Sequence, residues 1–294
     1  MPTLAELLAR NDKVLDADIA RVEREVVRNY RAALEDIRAE LARLYDRYAV
    51  EGVLTHAEMS KFNRLKGLDK FIRETMNPVF KENRKLTNKL QKVEYEEGFY
   101  RTAWAIDRDT GAALKWGILR PESVVSAVAN PMKDIALKRL TTNSLLSIRS
   151  TVTQGLIRGD SFPKMARNLR RSINSTASDN MRIVRTEGNR AQNQGIQETY
   201  RYAEEELDID LVEFWDAILD SRVRDSHARL EGQPKNEEHN GWFLGGVWAA
   251  GPGQSGVASE DINCRCRVRA EVKDFPPTVK GERKTYEEWR KEFR

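Results

Sequence analysis

The sequence predicts a mainly α-helical protein with a small C-terminal α+β module, that is, long amphipathic helices followed by a compact strand- and loop-rich domain. Three observations predict it. From Leu15 to Tyr48 apolar residues recur in steps of three and four, the spacing of one helix face. A third of the residues are charged, with only 9 prolines and 8% aromatics, the composition of long solvated helices. After Asp208 the pattern changes to a β-prone run and then to a glycine-rich interval, where hairpins and loops replace helix.

At 294 residues and 40% hydrophobic content the chain can bury one large or two ordinary cores. A formal charge of +4 is too mild to indicate nucleic-acid binding by itself. Two cysteines cannot form the framework of a secreted scaffold, and Met1-Pro2-Thr3-Leu4-Ala5-Glu6 lacks the basic and apolar regions of a signal peptide. Folding in a reducing cytoplasm is expected. No apolar run approaches the roughly 18 residues that a membrane span needs, so no membrane partner is expected.

The first helix carries Leu15, Ile19, Val22, Val26, Tyr30, Leu34, Ile37, Leu41, Leu44 and Tyr48 on its stripe. Leu15, Val26, Ile37 and Tyr48 are eleven apart, a period that keeps the stripe nearly straight. Such a helix packs on its own neighbours or projects as an arm. Gly52 interrupts the pattern, and Thr55-His56-Ala57-Glu58 reads as a capping box that starts a second helix. That helix points Met59, Phe62, Leu65, Leu68 and Ile72 inward, and Asn77-Pro78 should end or kink it. His56, at the helix start, reads as a surface residue. A further helical stretch runs from about Val79 to about Trp104. The interval from Arg108-Asp109-Thr110-Gly111 to Arg120-Pro121-Glu122, with Trp116 inside it, reads as a hinge.

Pro131 to Arg158 is again helical, and Gly159-Asp160-Ser161-Phe162-Pro163 makes a turn in which Asp160 or Ser161 can cap the next helix. Between residues 158 and 190, eight basic and three acidic residues leave a charge of +5. Arg158, Lys164, Arg167, Arg170 and Arg171 are candidates for contact with DNA phosphates, against the plainer reading of a solvated helix face. The helix from about Ser178 to Glu206 contains Arg185-Thr186-Glu187. Glu187 is placed to pair with Arg190, three residues on, or with the next domain.

The run Ile209 to Trp215 reads as a strand, Gly232 to Gly256 as loops or hairpins, and Asp261 to Val272 as a returning strand. Four segments follow: 1–120, a helical arm or N-terminal helical domain; 121–205, a helical domain with the basic stretch; 206–275, the terminal module; and 276–294, a polar tail. Pro276-Pro277 sets off the tail, whose Tyr286-Glu287-Glu288-Trp289 suggests a short docking helix.

Within the module an ordered motif runs from Trp215 through Asp220, Arg222, Arg224, Asp225 and His227 to Leu230 and Gly232, and ends at Asn263-Cys264-Arg265-Cys266. Together with the Arg185-Thr186-Glu187 helix it resembles the phage Mu protein F-like minor head proteins, the head-morphogenesis family of tailed phages. Where family members often carry a His-Pro or similar pair before the Asn-Cys-Arg-Cys, this chain has Glu260-Asp261-Ile262. The resemblance implies a minor head (minor capsid) protein, made in the host cytoplasm and placed inside the procapsid and virion. Its implied partner is the portal protein, with scaffold or major capsid proteins and packaged DNA as further partners, and it implies no enzyme.

Read as chemistry, His227, His239, Cys264 and Cys266 would supply a Cys2His2 set for zinc, while the alternative leaves the thiols buried and the site without a cofactor. A metal-dependent nucleic-acid enzyme using His227 with Cys264 and Cys266 is the competing function. Ser226 beside His227 makes no nucleophile and base pair, since adjacent residues point apart. Arg222, Arg224, Arg265 and Arg267 can pair with Asp216, Asp220 and Asp225, which would hold the module together with no ligand.

Overall fold

A computed structural model describes residues 2–112, 114–274 and 284–293. Four long helices dominate: α1 (Leu4–Tyr48), α3 (Arg64–Thr110), α5 (Pro131–Arg158) and α6 (Phe162–Leu207). Short helices α2 (His56–Ser60) and α4 (Pro121–Val128) lie between them in the chain. The terminal module contains β1 (Asp210–Asp216), α7 (Asp225–Ala228), β2 (Trp242–Leu244), β3 (Val247–Ala249), α8 (Ala258–Asp261) and β4 (Arg267–Asp274). Helix α9 (Tyr286–Arg290) follows. The expected class, mainly α with a small strand-bearing end, is the observed one. Pro276-Pro277 lies outside the described residues.

By compactness the chain divides into two units drawn from non-consecutive segments. One comprises Met1–Ala20, Asn88–Ala129 and Arg185–Arg294, the other Arg21–Thr87 and Asn130–Val184. Helices α1, α3 and α6 each contribute residues to both.

The second unit buries the stripe of α1 from Val22 to Leu41, with Tyr45 rather than Leu44 closing it. Its core continues with Leu68, Ile72 and Met76 of α3, Ile148 and Val152 of α5, and Met165, Leu169 and Ile173 of α6. Two buried tyrosine hydroxyls are satisfied within it: that of Tyr30 donates to Asn180 Oδ1 at 3.2 Å and that of Tyr45 to the Asp160 carbonyl at 2.7 Å. Gly159 ends α5 in the left-handed region at φ 65°, a conformation that glycine adopts without steric cost.

Three expectations change here. Thr55 accepts the Glu58 amide at 3.2 Å, but the Glu58 carboxylate turns to Lys61 and Arg64, because cationic donors outcompete a neutral amide. The capping box is therefore only half formed. Phe62 and Asn63 take left-handed φ values of 52° and 55°, which breaks α2 from α3 and leaves Phe62 87% exposed instead of inward. Helix α3 runs through Pro78 without ending. A mid-helix proline costs about 3 kcal/mol, and full burial of Ile72 and Met76 just before it contributes roughly 1.5–3 kcal/mol each, enough to offset the loss.

The first unit gathers Leu4, Leu7 and Leu8 of α1, Phe99, Tyr100 and Ala103 of α3, Tyr200 and Ala203 of α6, and the apolar face of the module into one core. The interval around Trp116 is no hinge. Trp116 is buried and donates from Nε1 to Asp107 Oδ1 at 2.8 Å, and the Leu119 amide donates to the Tyr100 hydroxyl at 3.0 Å. Helix α9 docks as its aromatic residues suggested. Trp289 donates to Asp107 Oδ2 at 2.7 Å and Tyr286 to Glu97 at 2.9 Å. Burial pushes the Asp107 carboxyl up to about 7, against the two indole donors that stabilise its charge.

Asp208, at φ 54°, turns the end of α6 into β1. Strands β1 and β4 pair antiparallel, from Leu211 opposite Val272 to Asp216 opposite Arg267. Strands β2 and β3 form a hairpin over Gly245-Gly246.

Candidate functional site

Trp215, near the end of β1, is fully buried, and its backbone is fixed on both sides by the segment around Gly232. The Gly232 amide donates to the Trp215 carbonyl at 2.8 Å, and the Trp215 amide to the Gln233 carbonyl at 3.0 Å. Gly232 takes φ 68°, which explains glycine at that place. Between them the chain makes the single turn of α7, and His227 on it packs edge-on against the Trp215 ring with centroids 5.6 Å apart. His227 is 2% exposed.

Cys264 and Cys266 reach the same spot from the far end of the module. They precede β4 rather than lying on it, and both are buried free thiols. Asn263 holds φ 57°, a left-handed conformation that asparagine tolerates better than branched residues. Its amide donates to the Thr186 hydroxyl at 3.0 Å. Two asparagines of α6 clamp the following backbone. Asn193 Nδ2 donates to the Cys266 carbonyl at 3.1 Å, and its Oδ1 accepts the Val268 amide at 3.1 Å. Asn189 adds a longer bond to the same carbonyl at 3.4 Å. The helix that carries Arg185-Thr186-Glu187 thus sets the position of the thiols.

His227 Nδ1 lies 3.3 Å from Cys266 Sγ and 3.7 Å from Cys264 Sγ. Its Nε2 lies 3.0 Å from Glu260 Oε2, supplied by α8, and the Ser226 hydroxyl donates to the same oxygen at 2.8 Å. Ser226 therefore serves Glu260 and makes no pair with the imidazole. Burial pulls the His227 pKa down, but hydrogen bonding and charge from Cys264, with the Glu260 bond, leave it above its ordinary value. Hydrogen bonding from Cys266, then from His227, draws the Cys264 thiol well below the usual range. The bond to Cys264 and burial push the Cys266 thiol up.

His239 stays out of this cluster. It is exposed and stacks on Trp248 with ring centroids 4.1 Å apart. The donors that converge are His227, Cys264 and Cys266, all buried and within 4.8 Å of one another.

Arginine pairing surrounds the cluster, though with partners different from those expected for several residues. Arg265 forms a two-pronged bond to Asp220 at 2.8 and 2.6 Å, which holds the Asp220 carboxyl well below the usual carboxylate range. Arg222 lies 3.4 Å from the same carboxylate and is largely exposed. Arg224 donates to the Glu260 and Ile262 carbonyls, so it caps the turn that presents the thiols. Asp225 opens α7 at an exposed position. Arg267 is buried and pairs with Asp16 of α1 at 2.7 Å. Arg269 pairs with Asp12 and, at 2.9 Å, with Asp216. Arg265 and Arg267 are thus both neutralised by carboxylates.

Several of these residues carry no signal in one sequence. Asn189, Asn193, Asp12 and Asp16 look like ordinary polar positions of solvated helices, and only the fold places them against β4. Glu260 had a signal, since it occupies the place where the resemblance leads one to expect a His-Pro or similar pair. Arg190 does meet Glu187, at 3.1 Å and buried, and Gln91 Nε2 adds a bond to Glu187 at 2.8 Å.

In the basic stretch, Arg158 and Lys164 both pair with the buried Asp160, at 2.9 and 2.7 Å. Arg167, Arg170 and Arg171 are exposed on α6, and Arg171 donates to Asn168 at 3.3 Å.

No solved structure matches the chain significantly. The minor head protein GP7 of Bacillus phage SPP1 is 27% identical over 276 residues, which is 92% of this chain and 89% of that protein. The NAD(+)--arginine ADP-ribosyltransferase EFV of Enterococcus faecalis (strain ATCC 700802 / V583) is 29% identical over 210 residues. That alignment takes in 66% of this chain and 42% of the transferase. Residues 147–269 match the family described as Phage Mu protein F like protein, a span that holds the whole motif from Trp215 to Cys266 and bears out the resemblance it carries.

Proposed function

We propose that this chain is a minor head protein of a tailed phage, which joins the assembling procapsid through the portal and contacts packaged DNA without catalysing a reaction. The observation that carries this reading is the likeness to minor head protein GP7 along 92% of this chain and 89% of that protein, which extends well beyond one shared module. The site chemistry supports it. Both His227 nitrogens are engaged, the thiols are buried, and the surrounding arginines are spent on carboxylates and carbonyls, which describes a locked docking fold. No helix among the described residues is long and apolar enough to cross a membrane.

The competing reading, a metal-dependent nucleic-acid enzyme, needs a centre that a nucleic-acid substrate can reach. His227 is 2% exposed. The activity named for the Enterococcus relative belongs to a protein of which this chain spans under half.

Co-expression with the portal protein of the same phage tests the proposal. The two should co-purify at stoichiometric ratio and appear together in procapsids. Procapsids assembled with a portal that lacks this chain entirely would refute the association.

A further inference from the structure

We propose that His227 Nδ1 and the Sγ atoms of Cys264 and Cys266 form a binding site for one thiophilic divalent cation of the zinc class, with Glu260 as the carboxylate that orients the imidazole. The donors come from two stretches 37 and 39 residues apart, and they meet in a buried spot. Donors about 2.0–2.3 Å from a tetrahedral zinc stand roughly 3.4–3.8 Å from each other. The imidazole nitrogen here lies 3.3 and 3.7 Å from the two sulfurs, so an ion fits with little rearrangement.

The outer contacts are those a metal site requires. A metal-bound histidine almost always gives its other ring nitrogen to a carboxylate, carbonyl or water, which fixes tautomer and ring orientation. Glu260 Oε2 stands 3.0 Å from Nε2 and is itself held by the Ser226 hydroxyl. The Cys-Arg-Cys turn is positioned by Asn193 and by the Thr186 contact to Asn263, independently of the thiols. Two thiolates and an imidazole select zinc-like ions over magnesium or calcium. The set has three protein donors, and one water completes the tetrahedron. The ion would tie α7 to the start of β4 and lock the module.

The full-length chain, purified without a histidine tag or chelator, decides the matter by elemental analysis and by cobalt(II) replacement. The expected result is one zinc per chain, and on exchange a thiolate-to-cobalt charge-transfer band with the intense visible absorption of tetrahedral cobalt. His227→Ala should lose the ion, Glu260→Gln should bind it roughly 10- to 100-fold more weakly, and His239→Ala should keep full stoichiometry. Circular dichroism identifies any variant that fails to fold, and the cobalt spectrum of the unmodified chain stands without the variants. A folded chain that takes up neither ion at equilibrium overturns the proposal. So does a Cys264–Cys266 disulfide in freshly isolated protein, or an octahedral cobalt spectrum.

Discussion

Glu94 shows how a single residue records the tension inside the first unit. Its side chain is fully buried, and neither carboxylate oxygen has a hydrogen-bond partner among the described residues. Burial, with the charges of Asp18 and Asp16, raises its pKa well above the ordinary carboxylate value, and Arg267 opposes the shift only in part. The folded chain therefore keeps the proton that the unfolded chain releases near its ordinary value of 4.5. Between those two pKa values the native state binds more protons, so stability falls as pH rises. Glu94→Gln, which stays neutral, should show a flatter dependence of melting temperature on pH from 5 to 8 than the parent chain. Equal slopes in a thermal-melt series would mean that Glu94 is charged in the fold. The residue scale was also the hardest to read from sequence. His227, Cys264 and Cys266 were legible as a set, because rare side chains attract attention. His239 was grouped with them by type alone, and the partners Glu260, Asn193 and Asp16 depend on contacts across 33, 73 and 251 residues.

At the scale of elements, the close crossing of α3 and α6 positions the site. A Cβ on Gly195 would fall 2.0 Å from the Tyr95 carbonyl oxygen, and one on Gly98 2.7 Å from that of Gln192. The Thr199 hydroxyl spans the same crossing to the Phe99 carbonyl at 2.9 Å. Glycine inside a helix costs about 1 kcal/mol relative to alanine, so these two are retained for the approach they permit. Gly195→Ala must push backbone against backbone, and overpacking of this kind costs typically 1–3 kcal/mol. It should lower the denaturation midpoint despite the better helix propensity. Gly67→Ala, where the added carbon meets nothing within 4 Å, should gain roughly 0.5–1 kcal/mol. Chemical denaturation of both variants checks the pair, and a stabilised Gly195→Ala would show that the helices can separate at no cost. In sequence α1 and α5 were plain, while the single helix α6 read as two, one after the Asp160 turn and one from about Ser178. The run of α3 through Pro78 was not plain either, because a proline's local cost is visible in the sequence and the burial that offsets it is not.

For the molecule as a whole, a division into consecutive segments could not anticipate units that share three helices, since one amphipathic stripe does not reveal that its two ends pack in different cores. Charge was easier to read in total than in place. Of the basic residues between 158 and 190, Arg158 and Lys164 pair with Asp160, Arg182 with Asp179 and Arg190 with Glu187. Arg167, Arg170 and Arg171 remain exposed on α6, and they are the residues on which the proposed DNA contact rests. Each phosphate neutralised on duplex DNA adds about 0.9 to the slope of log affinity against log salt. Replacement of all three by glutamine should therefore flatten that slope by roughly 2.7, and the parent chain should lose about 40-fold more affinity than the variant between 50 and 200 mM salt. Fluorescence anisotropy with a short duplex over that range measures both. Arg158→Gln should leave the slope unchanged, because its guanidinium faces Asp160 rather than solvent phosphate. A triple variant with the parent's slope would move the DNA contact elsewhere on the chain, and a parent with no slope would remove it.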